Sequence, residues 1–268
     1  MDRQGFPCRL GRQQPGGLQQ MTNRVSALLF AAVLLTGCGS PEEGPSTDEM
    51  FDAAVDEMTQ AYFSHVPEAA TQLGIPEDTV AGTFTRMMDR SVAGNAARNE
   101  ALEAALAGLQ DFDAASLSPD RQRTHAVLTT LFEGALGPSR VADYGTTTGA
   151  WTMWYLPYPI VQNSGPTVDI PNFLNSQQPV NDAAEAEAFL ARLATVEGAL
   201  DGALESYRHG VQQGAIPPDF IVDKSLRVVE AFLAPAADQN PIYVSFVDKL
   251  DEAGIADAQA YADEALKI

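Results

Sequence analysis

At 268 residues, 45% of them hydrophobic, the chain holds enough apolar material for one sizeable domain or two small ones, which excludes disorder as its default state. A formal net charge of -20 and a pI near 4.3 exclude the usual electrostatic route to nucleic acid, because gripping phosphates takes clustered Lys and Arg. The cysteines Cys8 and Cys38 cannot supply a disulfide framework once the leader described next is removed.

Residues 1–20 are rich in Gln, Gly and Arg, precede a second methionine, and are read as an over-called translation start. From Met21 the chain runs MTNRVSALLFAAVLLTGCGS. Arg24 is a positive n-region, and Val25 to Leu35 is an apolar run of signal-peptide length, too short to span a membrane as a mature helix. Leu35-Thr36-Gly37-Cys38 then fits a lipobox, in which the thiol is diacylated and cleavage leaves Cys38 as the first residue. Residues 21–38 are therefore expected to be a lipoprotein signal peptide, and residues 39–46 (GSPEEGPS) a tether. Without Arg3, Arg9, Arg12, Arg24 and Asp2, 12 basic and 35 acidic residues remain, a net charge of -23. Anionic headgroups repel such a body. The expected place is the cell envelope, on the periplasmic or extracytoplasmic face, with the membrane reached through the lipid anchor.

Residues 47–268 are expected to form a single, mainly α domain, an antiparallel helical array in two halves joined by one long irregular connection rich in aromatic residues and proline. Ser46 and Glu49 make a capping-box pair ahead of Phe51, Ala54, Val55, Met58 and Tyr62, which share a helical face. Pro67 ends that helix, and a short helical turn runs to Leu73. Thr79 to Gln110 reads as a helix interrupted at Gly94-Asn95, with Leu102, Leu106 and Leu109 on one stripe. Ser118-Pro119 starts a helix through Leu136, with Val127, Leu128, Leu131 and Phe132 inward. After the connection, Asn181 caps the longest periodic run, from Phe189 through Leu200 and Leu204 to Val211, a stripe about eight turns long. Pro217-Pro218 start a helix through Phe232, Asn240-Pro241 cap another to Glu252, and Ile255 to Lys267 is the last.

The connection, residues 151–180, holds both tryptophans and five prolines. A segment this long without helical periodicity is usually functional or a linker, and its large apolar residues speak against a linker. Within it only Thr167 to Ile170 hints at a strand. Trp151, Trp154, Tyr155 and Tyr158 suit either a core between helices or stacking on a sugar or peptide. Gln162, Asn163 and the backbone around Gly165 are cleft candidates, since polar groups among aromatics can orient a peptide backbone. Trp154, Tyr158, Gln162, Asn163 and Gly165 are accordingly the expected substrate-binding residues. Ser164 reads as a turn residue, because no G-x-S-x-G elbow is present. His65, His125 and His209 fall on separate predicted helices and read as surface or core residues.

Four stretches carry a resemblance: Tyr62 to Gly74 (YFSHVPEAATQLG), Tyr158 to Leu174 (YPIVQNSGPTVDIPNFL), Ala188 to Leu193 (AFLARL) and Gly214 to Lys224 (GAIPPDFIVDK). Together, and in this order, they resemble the bacterial domain-of-unknown-function 885 family, helical envelope proteins related to zinc metallopeptidases. The resemblance implies a longer protein whose later part bears an HExxPGHH-like helix, with two histidines holding zinc and the glutamate as general base. No HExxH occurs in this chain. It is therefore expected to correspond to the non-catalytic N-terminal half, with no catalytic residue, metal or cofactor of its own and no activity alone. The expected partners are the membrane, a peptide ligand or a second polypeptide carrying the zinc motif. A non-enzymatic peptide- or glycan-binding lipoprotein, or a truncated gene product, are the other readings.

Overall fold

The computed structural model describes residues 44–148 and 154–268, and the leader, Cys38 and most of the tether lie outside them. Residues 44–268 form one compact unit that is mainly α-helical. Among the described residues no helix is long and apolar enough to cross a membrane.

The first half is built from α1 (Thr47–His65), α2 (Pro67–Gln72), α3 (Val92–Gln110) and α4 (Pro119–Leu136). The capping box at α1 forms as expected: Ser46 Oγ accepts the Glu49 amide at 3.3 Å, and Glu49 accepts the Ser46 amide at 2.7 Å. Phe51, Tyr62, Leu102, Leu106, Leu109, Phe132 and Leu136 make one core where α1 and α4 flank α3. The inward face of α4 differs from expectation. Phe132 is buried, but Val127 and Leu131 are exposed, because α3 covers a narrower arc than α4's apolar residues occupy.

Residues 79–91 are not helical, contrary to the periodic reading. Glu77 captures the chain there: its carboxylate accepts the amides of Gly82 and Phe84 and the Thr83 hydroxyl, closing a loop that no helix could satisfy. Helix α3 then starts at Ser91, whose Oγ accepts the Gly94 amide at 3.0 Å. Gly94 thus lies inside a first turn and interrupts nothing.

The long connection is more ordered than its composition suggests. A two-stranded antiparallel hairpin, β1 (Thr146–Thr148) and β2 (Trp154–Leu156), pairs Thr146 with Leu156 and Thr147 with Tyr155. Val161 and Ser164 then close a tight turn with Gln162 and Asn163 at its tip. Residues Pro166–Ser176 form helix α5, so Thr167 to Ile170 is helical and not a strand. Gly165 makes this possible. Its φ of 103° reverses the chain, Pro166 takes the first helical position, and Asp169 Oδ2 accepts the Gly165 amide at 3.0 Å.

The second half comprises α6 (Ala183–Leu193), α7 (Val196–Gln212), α8 (Asp219–Leu233), α9 (Pro241–Glu252) and α10 (Ala258–Ala265). The predicted eight-turn helix is broken between α6 and α7. Thr195 Oγ1 donates to Arg192 O at 2.7 Å and accepts the Met87 amide at 2.9 Å, so a side chain competes with the helix ladder at this point. Asp182 caps α6 in place of Asn181, which instead donates to Glu185. Ile170, Phe173, Leu174, Phe189, Phe246 and Leu250 form the second core, with Phe189 and Phe246 stacked at 4.3 Å. A larger surprise is α7, whose buried residues are Ala199, Gly202, Ala203, Ser206 and Gly210, while Leu200, Leu204 and Val211 face solvent.

Candidate functional site

Where the connection meets α2, α3 and α7, the packing leaves a cavity of about 190 Å³. Two arginines define its chemistry. Arg90 Nη1 pairs with Glu68 Oε1 at 2.9 Å, and Glu68 Oε2 accepts the Met88 amide at 2.9 Å, so this pair is largely buried and internally neutral. Arg98 is held differently: it donates to Asp89 O at 2.5 Å, to Asn95 Oδ1 and, at 3.4 Å, to Thr146 Oγ1. Burial, the largest influence, pushes Arg98 down to about 10, and the neighbouring Arg90 cation pushes the same way. An arginine with that value remains protonated at neutral pH.

The polar groups are tied into one network. Asn95 Nδ2 donates to Ser206 Oγ at 3.0 Å, Thr146 Oγ1 donates to Asn95 Oδ1 at 2.5 Å, and Ser206 Oγ donates to Arg90 O at 2.7 Å. These bonds fix the side chains before any ligand arrives, which lowers the ordering cost of binding. The Ser206 hydroxyl donates to the Arg90 carbonyl, so the network as it stands holds its polar groups in fixed orientations.

The connection supplies the opposite wall, through Leu156, Pro159, Gly165, Pro166, Asp169 and Phe173. Asp169 is raised from the ordinary aspartate value by burial, although the Gly165 amide and the Arg90 charge pull it back. The residue keeps exposed surface at the cavity's edge, which limits the push. The cavity thus offers a buried cation, a carboxyl at its mouth and fixed neutral donors and acceptors, set between apolar surfaces. That combination suits holding a small polar group or a peptide side chain in one orientation.

Of the residues expected to bind substrate, Gly165 lines this cavity. Tyr158 lies in the bend after β2 and Gln162 and Asn163 at the tip of the following turn; none is among its walls, and the Trp154 side chain lies outside the described structure. The residues missed by sequence reasoning are Glu68, Arg90, Arg98 and Asp169. Arg98 carried a readable signal: it stands four residues before Leu102 and eleven before Leu109, in register with the buried stripe of α3. A cation on an apolar stripe is the informative exception.

Residues 67–268 match the family described as bacterial proteins of unknown function, DUF885. The chain belongs to that family. Against the curated proteins nothing matches. A solved structure described as a lipoprotein from Colwellia psychrerythraea shares the fold, with a TM-score of 0.72 over 83% of this chain at 17% identity. The chain spans 38% of the length of that relative. The DUF885 match takes in α2 and both cavity walls, so every polar group of the network falls inside the family region.

The histidines do not come together. His125 Nε2 lies 2.9 Å from Leu109 O in the first core, and His209 Nε2 lies 3.0 Å from Asp143 O, about one turn beyond Ser206 on α7. His65 is held below the usual histidine value by burial, with the Arg98 and Arg86 cations adding to it. Among the described residues no group of three or more His, Cys, Asp or Glu side chains is placed to hold a metal ion.

Proposed function

We propose that the chain is a lipid-anchored envelope protein that supplies the substrate-holding wall of a DUF885 protein, with metal and general base contributed by polypeptide outside this chain. The observation that carries the reading is the cavity itself: preorganised polar groups around Arg98, walled by the family-like stretch Tyr158 to Leu174. Arg98 and the Asn95–Ser206 pair hold the ligand, Asp169 meets it at the mouth, and Cys38 keeps the body at the membrane. The test measures bound zinc and peptide hydrolysis for this chain alone and after addition of a family segment bearing the HExxPGHH motif. Hydrolysis is expected only with the added segment, and to fall when Arg98→Gln is introduced into this chain. Stoichiometric zinc and hydrolysis by this chain alone would refute the proposal.

A second reading, a non-enzymatic binder of peptides or glycans, draws on the same cavity and on the aromatic residues Trp154 and Tyr158. Thermal-shift screening with envelope peptides and glycans separates the two. A ligand-dependent rise that is lost in Trp154→Ala and needs no second segment favours the binder.

A further inference from the structure

Helices α7 and α8 carry more apolar surface than the fold covers. At about 100° per residue, Ile221, Ser225, Val228 and Phe232 share one arc of α8, and Val222, Leu226, Val229 and Leu233 share the next. The first arc is buried or half-buried, whereas Leu226 is 54% and Leu233 68% exposed. On α7 the small residues face inward, and Leu200, Leu204 and Val211 form an outer stripe about a third of a turn away. An open groove of about 650 Å³ joins the two helices at the start of α7 and the end of α8, with α9 and the end of α10 completing it. Leu193, Leu200, Leu233, Ile242 and Tyr243 are among its walls, Glu197 and Asp201 mark its rim, and no Lys, Arg or His lines it.

We infer that this groove is the docking surface for a second polypeptide segment: an amphipathic helix, apolar where it enters the groove and basic along its edge. The solved relative has further polypeptide beyond the matched part, since this chain covers 38% of its length. The acidic, cation-free rim selects a basic partner. It also disfavours the other occupants. A second copy would bring Glu197 and Asp201 against their like in a strongly acidic body, and an anionic lipid surface would meet the same charges. The inference rests on the proposal that another polypeptide completes this protein, and its test involves neither zinc nor hydrolysis. Failure here would remove the docking surface and leave the completed site to its own experiment.

The probes are a labelled 18-residue Leu/Lys helix and a Leu/Glu helix with the same apolar pattern, titrated by fluorescence anisotropy against the full chain carrying Cys38→Ser. Salt of about 0.3 M suppresses loose charge attraction. The Leu/Lys helix is expected to bind and the Leu/Glu helix not. Leu200→Asn with Leu233→Asn weakens binding by about tenfold or more without altering circular dichroism, because both side chains are already exposed. Asp201→Lys shifts the preference toward the Leu/Glu helix. Equal binding of both probes, or binding indifferent to the double substitution, would overturn the inference. A stable dimer dispersed by the double substitution would overturn it in favour of a second copy. Binding to phosphatidylcholine vesicles lost on the same substitution would overturn it in favour of a lipid surface.

Discussion

Gly165→Ala strikes the cavity wall at its tightest point. At φ 103° and ψ 171° the backbone occupies a region that only glycine enters readily, and holding another residue there costs about 1–3 kcal/mol. The added methyl would lie 2.3 Å from Pro159 O and 3.1 Å from Ile160 Cα. Both neighbours are backbone, so no side chain can swing aside, and the forced shift costs about 1–3 kcal/mol more. The expected loss is about 4 kcal/mol. With a urea dependence of about 2–3 kcal/mol per molar for a body of this size, the unfolding midpoint falls by roughly 1.5 M. Equilibrium urea unfolding followed by circular dichroism reads this directly. Because Pro159 and Pro166 line the cavity, ligand binding should weaken even where the variant stays folded. A stability loss below about 1 kcal/mol would refute the strain argument.

Arg192→Met addresses a fully buried guanidinium that donates to Gln178 Oε1, Thr83 O and, at 3.2 Å, Thr71 Oγ1, and stacks on Phe173 at 4.8 Å. Methionine leaves Gln178 Oε1 without its donor at about 1–3 kcal/mol, whereas Thr83 O keeps the Thr71 hydroxyl, and the lost guanidinium bonds are offset in part by no longer burying a cation, so a net loss of about 1–3 kcal/mol is expected in the same urea assay. An unchanged midpoint would show that the cation is not a clamp. Asp169→Asn tests the direction of the carboxyl shift. The folded value is raised above 3.8, so the folded state holds the proton more tightly and stability falls as pH rises from that value through the raised one. Asparagine can still accept the Gly165 amide, so the variant should lose this slope above pH 3.8 while keeping its fold; parallel profiles for the two proteins would contradict the assignment.

Local signals in the sequence were legible and long-range ones were not. The capping box at Ser46, the proline start at Pro119 and the Asn240 cap, whose Oδ1 accepts the Ile242 amide at 3.0 Å, are decided within four residues of chain. The family region and the helical fold class were legible for the same reason, since both are written in periodicity and short motifs. The break between α6 and α7 depends on Met87, 108 residues earlier, and no window of periodicity contains that partner. Helix α5 was hidden because Pro166 and Pro171 look like breakers until Gly165 is known to turn the chain into the first and the short helix tolerates the second. The cavity's polar groups stayed invisible because Glu68, the Arg90–Asn95 segment, Thr146 and Ser206 come from four separate parts of the chain.

Helix α7 links the two surfaces proposed for function. Its inner face must approach the segment carrying Arg90 closely: a Cβ on Gly202 would lie 2.7 Å from the Ser91 amide nitrogen and 3.1 Å from the Arg90 carbonyl carbon. Small residues on that face are therefore a requirement of the cavity, which needs Ser206 within 2.7 Å of Arg90 O. The large apolar residues of α7 have no place on so tight a face and are displaced to the outer stripe. Cavity and groove thus follow from one packing constraint. A segment seated against Leu200 presses on the helix whose inner face fixes the polar network, so occupancy of the groove and order in the cavity are expected to rise together.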